Sequence, residues 1–256
     1  MIRLVASDLD GTLLPAGAHT VSAGLLDAIR ALRQKDILFC AASGRQYASL
    51  RRALAGVADD ILYCCDNGAV VYQGGRILAK TPLPEADSRQ LVAQLLAQPG
   101  CEVLISGADT SYVIPKTDGF LSFVRDELGN NTVAVGDISE ISEEIVKIAV
   151  CCDRPAGEYA ALFAPVWDRH LTVTVAGKHW LDFTLAHKGT ALAQIAAALG
   201  IPVRETVVFG DNFNDIPMFR FAGESYAMAD APDEVKAAAD QICGDLERTL
   251  RELGER

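Results

Sequence analysis

The sequence predicts an α/β fold, a parallel sheet between helices, interrupted by an inserted α+β block. Three observations predict it. Short apolar runs alternate with amphipathic stretches at both ends of the chain, the alternation breaks at Thr81-Pro82-Leu83-Pro84, and it resumes at His187. Alternation of strand and helix implies parallel pairing, because parallel strands need a crossover between them. At 256 residues the chain is long enough for one large domain or two modest ones. A first domain of residues 1–81 and 185–256 and an inserted domain of residues 82–184 are therefore expected.

Each element follows from local pattern. Residues 2–7 are an apolar run that reads as a buried parallel strand. Residues 21–33 carry Leu25, Leu26, Ile29 and Leu32 at helical spacing, with Ser22 as N-cap. Residues 37–42 read as a strand, 46–54 as a helix and 61–65 as a third strand. Two further runs, 69–72 and 76–80, flank Gly74-Gly75 as a hairpin would. The inserted block reads as helix 84–98, short strands 102–106 and 112–114, and helix 118–128. A polar Gly/Asn stretch then leads to strand 145–152, a helix near 158–163, and strands 171–176 and 180–184. Such an order suits a largely antiparallel sheet. The parallel rhythm returns with helix 188–199, strand 206–209, helix 214–221, strand 225–228 and helix 232–239.

Bulk composition excludes several functions. Half the residues are apolar and 22% are charged, as in ordinary globular proteins. A formal charge of −11 argues against nucleic acid as partner, which would require a basic face. An anionic substrate must accordingly be met by local positive charge. Residues 1–7 are a short apolar run followed by acid and do not read as a signal peptide, and no stretch approaches the ~18 apolar residues of a membrane span. Seven cysteines (Cys40, Cys64, Cys65, Cys101, Cys151, Cys152 and Cys243) show no C-x-x-C spacing and fall mostly in apolar runs. They read as reduced thiols of a cytoplasmic protein.

In an open α/β sheet, ligands bind beyond the carboxyl ends of the strands. Asp8 and Asp10 follow the first strand, and Ser43-Gly44-Arg45 the second. Gly210-Asp211-Asn212-Phe213-Asn214-Asp215 follows a later strand, and Lys188 opens the helix after the inserted block. Asp8, Asp211 and Asp215 together would repel an anion and would be very unfavourable buried without partners. A divalent cation and the Lys188 ammonium would offset that, and oxygen donors suit Mg²⁺. Metal, phosphoryl group and carboxylate nucleophile together fit aspartyl-phosphate chemistry. Phosphate-monoester hydrolysis needs acceleration of up to ~10²¹-fold. A positioned acid or base supplies only about 10²–10⁴-fold, so charge stabilisation and in-line positioning must carry most of the rest.

These residues resemble the four motifs of the haloacid dehalogenase (HAD) superfamily, in order, and nearly the whole chain is similar to its Cof-like phosphatases with a class IIB cap. The resemblance implies a Rossmann-like core, an α+β cap that closes over the site, and Mg²⁺ as cofactor. By it Asp8 is the nucleophile and a metal ligand, and Asp10 the general acid/base whose backbone carbonyl also ligates the metal. Ser43, Gly44, Arg45 and Asn214 fall on the substrate side, with Ser43 and Asn214 bonding the phosphoryl group. Lys188 balances charge, Asp211 ligates the metal, and Asp215 is its companion, direct or through water. Thr12 orders the turn after the nucleophile. Asn67-Gly68 reads as a turn whose counterpart in the family lies near the substrate. Two departures stand out: Asp230 where the family often has Asn, and Gly244–Arg248 in place of the usual tail.

Hydrolysis of a small phosphorylated metabolite is the leading expectation. A phosphomutase shares cap class and chemistry but needs several cap arginines, and residues 82–184 contain only Arg89, Arg125, Arg154 and Arg169. A receiver-type phospho-accepting module would be about half this length and would lack an acid two residues after its phosphorylated Asp.

Overall fold

The computed structural model describes every residue except 16, 17 and 19. It divides into two compact units. One comprises Met1–Arg45, Leu50–Ala79 and His187–Arg256; the other comprises Gln46–Ser49 and Lys80–Ala186.

The chain begins with β1 (Leu4–Asp8), α1 (Ala23–Arg33), β2 (Leu38–Ala42), α2 (Tyr47–Ala53), β3 (Leu62–Cys65), β4 (Val70–Gln73) and β5 (Arg76–Lys80). Ser22 caps α1 by accepting the Leu25 N–H, as its sequence position implies. Through the second unit run α3 (Glu85–Leu96), β6 (Cys101–Ser106), β7 (Ser111–Val113), α4 (Phe120–Ser122), β8 (Thr132–Ala134), β9 (Lys147–Cys152), α5 (Ala156–Trp167), β10 (Thr172–Gly177) and β11 (Trp180–Thr184). The chain closes with α6 (Lys188–Leu199), β12 (Thr206–Gly210), α7 (Ile216–Phe221), β13 (Glu224–Met228), α8 (Asp233–Lys236), β14 (Gln241–Cys243) and α9 (Leu246–Leu253).

Among the described residues of the first unit, eight strands form one sheet in the order β14-β13-β12-β1-β2-β3-β4-β5. Pairing is parallel from β14 to β3 and turns antiparallel at β4. Strand β1 is central and buried throughout, which explains its unbroken apolar run. On either side of it the order runs away in opposite directions, so β1 and β12 flank the topological switch point. Ligands bind there in open α/β sheets. Alternation along β1 sends Leu4 and Ala6 into the core formed with Ala191, Leu192 and Ile195 of α6. The same period of two turns Asp8 toward α6, and Lys188 opens that helix.

In the second unit the sheet order is β10-β11-β9-β6-β7-β8, antiparallel except for the β7–β8 pair. Its main core sets Leu91, Val92 and Leu95 of α3 and Tyr159, Phe163 and Trp167 of α5 against Val103, Val150, Leu181 and Phe183 of the strands.

Five elements differ from the sequence reading. The expected helix 118–128 is a single turn, α4, followed by a π-helical turn Phe123–Glu127 in which Leu128 N–H donates to the Phe123 carbonyl. Strand β8 is three residues long with Val133 exposed, too short to show alternation. Helix α5 runs to Trp167 past Pro165, anchored by the buried Trp167 indole donating to Gln94 Oε1 at 3.0 Å. Residues 241–253 add β14 and α9, the latter capped by Asp245 and burying Leu246, Leu250 and Leu253. Among the described residues no helix is long and apolar enough to cross a membrane.

Candidate active site

At the carboxyl end of β1, Asp8 is buried, and Lys188 Nζ donates to its Oδ1 at 2.5 Å. The same ammonium donates to Asp215 Oδ1 at 2.6 Å and is itself wholly buried. Lys188 occupies the first position of α6, where the helix dipole disfavours a cation. Burial also works against its charge, yet Asp215 and Asp8 override burial and hold the Lys188 pKa above its ordinary value. The helix start is fixed by His187, whose Nδ1 accepts the Thr190 N–H at 3.1 Å. Burial lowers the His187 pKa, in keeping with a ring nitrogen that accepts.

Asp215 uses both oxygens. Oδ1 takes Lys188, and Oδ2 accepts the backbone N–H groups of Asp211 and Asn212 at 2.9 and 3.0 Å. The turn after β12 is thereby tied to α6. Asp211 accepts the Thr12 hydroxyl at 2.8 Å, which joins this turn to the one after β1. Between them lies Gly11, with φ +91°; a Cβ there would lie 2.2 Å from Asp211 Oδ2. Only glycine permits that approach.

Asp10 is exposed, and its carboxylate receives two bonds from Arg45, Nε at 2.9 Å and Nη2 at 2.6 Å. Arg45, expected on the substrate side, has its guanidinium bonded to the candidate acid/base Asp10 in this structure. Ser43 is buried at the end of β2, its hydroxyl accepting the Arg45 N–H at 3.2 Å. Asn214 donates through Nδ2 to Asn67 Oδ1 at 3.1 Å, and a Cβ on Gly44 would sit 3.2 Å from the same Asn67 amide.

Burial and the neighbouring carboxylates, opposed by Lys188, push the Asp8 pKa well above its ordinary value. Burial likewise raises Asp211, against the Thr12 hydrogen bond. Were all three ionised, these carboxyls would outnumber the single ammonium by two negative charges, an excess that a cation would offset.

A model of the haloacid dehalogenase-like hydrolases matches residues 5–248. The chain belongs to this family. It is 28% identical, over 96% of its length and 92% of the other's, to the 5-amino-6-(5-phospho-D-ribitylamino)uracil phosphatase YbjI of Escherichia coli. A crystal structure from Eubacterium rectale is 29% identical with a TM-score of 0.88, covering 98% of this chain and 99% of that one. The fold is also that of a HAD subclass IIB sugar phosphatase, at 23% identity and TM-score 0.84 over 98% and 99% of the two chains.

The family implies a divalent metal, and the residues of this hydrolase fit one. Asp8, Asp211 and Asp215 each offer a carboxylate oxygen, and these oxygens lie within 4.8 Å of one another. An all-oxygen set of three carboxyls suits a hard divalent cation such as Mg²⁺.

The geometry thus brings Asp8, Lys188, Asp211 and Asp215 into one cluster and links Asp10 to Arg45 and Asn214 to Asn67. Two residues gain roles that sequence reasoning did not assign: Asn67, as the acceptor for Asn214, and His187, as the cap of the lysine helix. Their only sequence signals were an Asn-Gly pair after a strand and a His directly before the helix. Neither identifies a partner distant in sequence.

Proposed function

We propose that this phosphoric monoester hydrolase acts through a phosphoaspartate on Asp8, with Mg²⁺, on small phosphorylated metabolites. The observation that carries the reading is the buried Lys188 ammonium between Asp8 and Asp215, beside Asp211. A structural ion pair would have no need of a third carboxyl within 4.8 Å of the other two.

In the first step, the Asp8 oxygen not bonded to Lys188 attacks phosphorus, and the bond to the leaving oxygen breaks. That oxygen takes its proton from Asp10. In the second, Asp10 removes a proton from water, whose oxygen attacks the same phosphorus, releasing inorganic phosphate and restoring the Asp8 carboxylate. Ser43, the Gly44 N–H and Asn214 donate to phosphoryl oxygens, while Lys188 offsets the charge that gathers on nucleophile and phosphate. Mg²⁺, held by Asp8, Asp211 and the Asp10 backbone carbonyl, would supply electrostatic stabilisation of the phosphoryl oxygens. Asp215 keeps Lys188 and the Asp211 turn in place, and Arg45, which holds both Asp10 oxygens, must release one of them before Asp10 can carry the proton for the leaving group.

Residues 82–184 form the cap domain that selects the leaving group. Arg89 pairs with Glu85, Arg125 with Asp126 and Arg154 with Glu158. Arginines so engaged favour hydrolysis over a mutase, which must retain a bisphosphate.

The test is phosphate release from a panel of phosphorylated metabolites, with Mg²⁺ and with EDTA, by wild type and Asp8→Asn. Metal-dependent turnover that vanishes in Asp8→Asn is expected. Undiminished turnover by Asp8→Asn, with deamidation excluded by mass spectrometry, overturns the mechanism.

A further inference from the structure

Beyond β3 the chain makes a turn unlike any other among its described residues. Asp66, Asn67 and Gly68 have φ of +50°, +57° and +105° in succession, two of them side-chain-bearing residues in left-handed conformation. Such backbone persists only where surroundings over-determine it, and here three neighbours do. The Asp66 N–H donates to the Arg45 carbonyl at 3.1 Å and the Asn67 N–H to the Ser43 carbonyl at 3.0 Å. Gly68 lies so near the start of α6 that a Cβ would stand 2.4 Å from the His187 carbonyl. Asn67 Oδ1 accepts from Asn214 Nδ2. All three residues are buried. One strained turn therefore touches the Ser43 loop, the Asn214 turn and the helix that carries Lys188.

We propose that Asn67 is a positioning residue of the phosphate site: its side chain aims the Asn214 amide, and its backbone bond to Ser43 sets the height of the Ser43–Gly44 loop. An Asn amide has two N–H donors and one oxygen, and either edge can face a ligand. Accepting one N–H at Asn67 Oδ1 fixes which edge is nitrogen and directs the second N–H to a phosphoryl oxygen. Without Asn67 the amide can turn its oxygen toward the phosphate, where two acceptors would oppose each other. Asn67 itself does not touch the reacting atoms. The inference rests on the phosphatase reading only in taking phosphate as the ligand.

The test separates side chain from backbone. Asn67→Gly retains positive φ without strain and removes the side-chain acceptor together with the rest of the amide, leaving the backbone N–H in place. Inorganic phosphate binding to the Mg²⁺-loaded protein is measured by calorimetry for wild type, Asn67→Gly, Asn214→Ala and the double variant, with steady-state kinetics on p-nitrophenyl phosphate alongside. Loss of one hydrogen bond that orients another predicts about three- to tenfold weaker phosphate binding in Asn67→Gly. KM should rise in parallel, and the melting temperature should stay near wild type. In the Asn214→Ala background the same substitution should have no further effect, since residues acting through one another are non-additive. Equal losses in both backgrounds, or unchanged phosphate affinity in Asn67→Gly, overturn the proposal. Wild type that binds phosphate without hydrolysing any monoester would overturn the proposed function and leave this cycle intact. Wild type that binds no phosphate overturns both.

Discussion

Replacing Lys188 by methionine removes a buried charge and keeps most of its volume. In the native protein that ammonium lies 2.5 Å from Asp8 and 2.6 Å from Asp215, with no exposure to solvent. The carboxylate oxygens of Asp8, Asp211 and Asp215 lie within 4.8 Å of one another. At an effective dielectric of ~20, two like charges at that spacing repel by about 3 kcal/mol. Three such pairs would be left without their counter-charge. Proton uptake by one carboxyl caps the penalty, so the expected loss of stability in metal-free protein is about 3–5 kcal/mol. That is a large part of the ~5–15 kcal/mol available to a typical domain. Turnover should fall by about 10²–10³-fold, as when one preorganised donor is deleted. Urea unfolding in EDTA reads the first quantity and kcat/KM with Mg²⁺ the second. Adding Mg²⁺ should recover part of the stability, because the cation binds only the folded carboxylates. A Lys188→Met protein within about 1 kcal/mol of wild type in stability, a typical surface-pair effect, and near wild type in turnover would refute the charge argument.

Gly11→Ala should drive Asp211 away, since its Cβ falls 2.2 Å from Oδ2 at a φ of +91°. The cost in stability is expected at about 1–3 kcal/mol, with a higher Mg²⁺ midpoint for activation, and an unchanged midpoint would count against the assignment of Asp211. Thr12→Val deletes the 2.8 Å bond to Asp211 and should weaken Mg²⁺ activation by at least ~10-fold, whereas Thr12→Ser should retain it. The pH dependence of stability follows from Asp8, whose folded-state pKa lies above its ordinary value of 3.8 because of burial. A raised carboxyl stabilises the fold below its unfolded pKa, and that contribution fades as pH climbs through the folded pKa. In EDTA, the stability of wild type relative to Asp8→Asn should therefore fall from about pH 4 upward. Saturating Mg²⁺ should reverse the slope, because metal binds the ionised carboxylates. Denaturation across a pH series checks both signs.

Much of the first unit could be read from local pattern. Fully buried parallel strands produce unbroken apolar runs, so β1, β2 and β12 announced themselves, as did Ser22 at the start of α1. What escaped was short or irregular: β8 with three residues, the π-helical turn after α4, and β14 with α9. A three-residue strand has no period to measure, and the π-helical turn depends on a backbone bond that no residue type encodes. The α9 spacing was present in Leu246, Leu250 and Leu253, but it declares itself only beside α1, against which it packs.

The opening Asp8-Leu9-Asp10-Gly11-Thr12 run shows the same division. Sequence alone determined that acids and a hydroxyl stand at strand ends and a lysine at a helix start, because such positions are a matter of chain order. Tertiary structure alone decided how they divide the work. Asp8 faces Lys188, Asp10 faces Arg45, and Thr12 faces Asp211. Those partners lie 180, 35 and 199 residues away. Local chemistry carries no information across such distances. The order of strands in the sheet does, by setting β12 beside β1 and the start of α6 beneath Asp8.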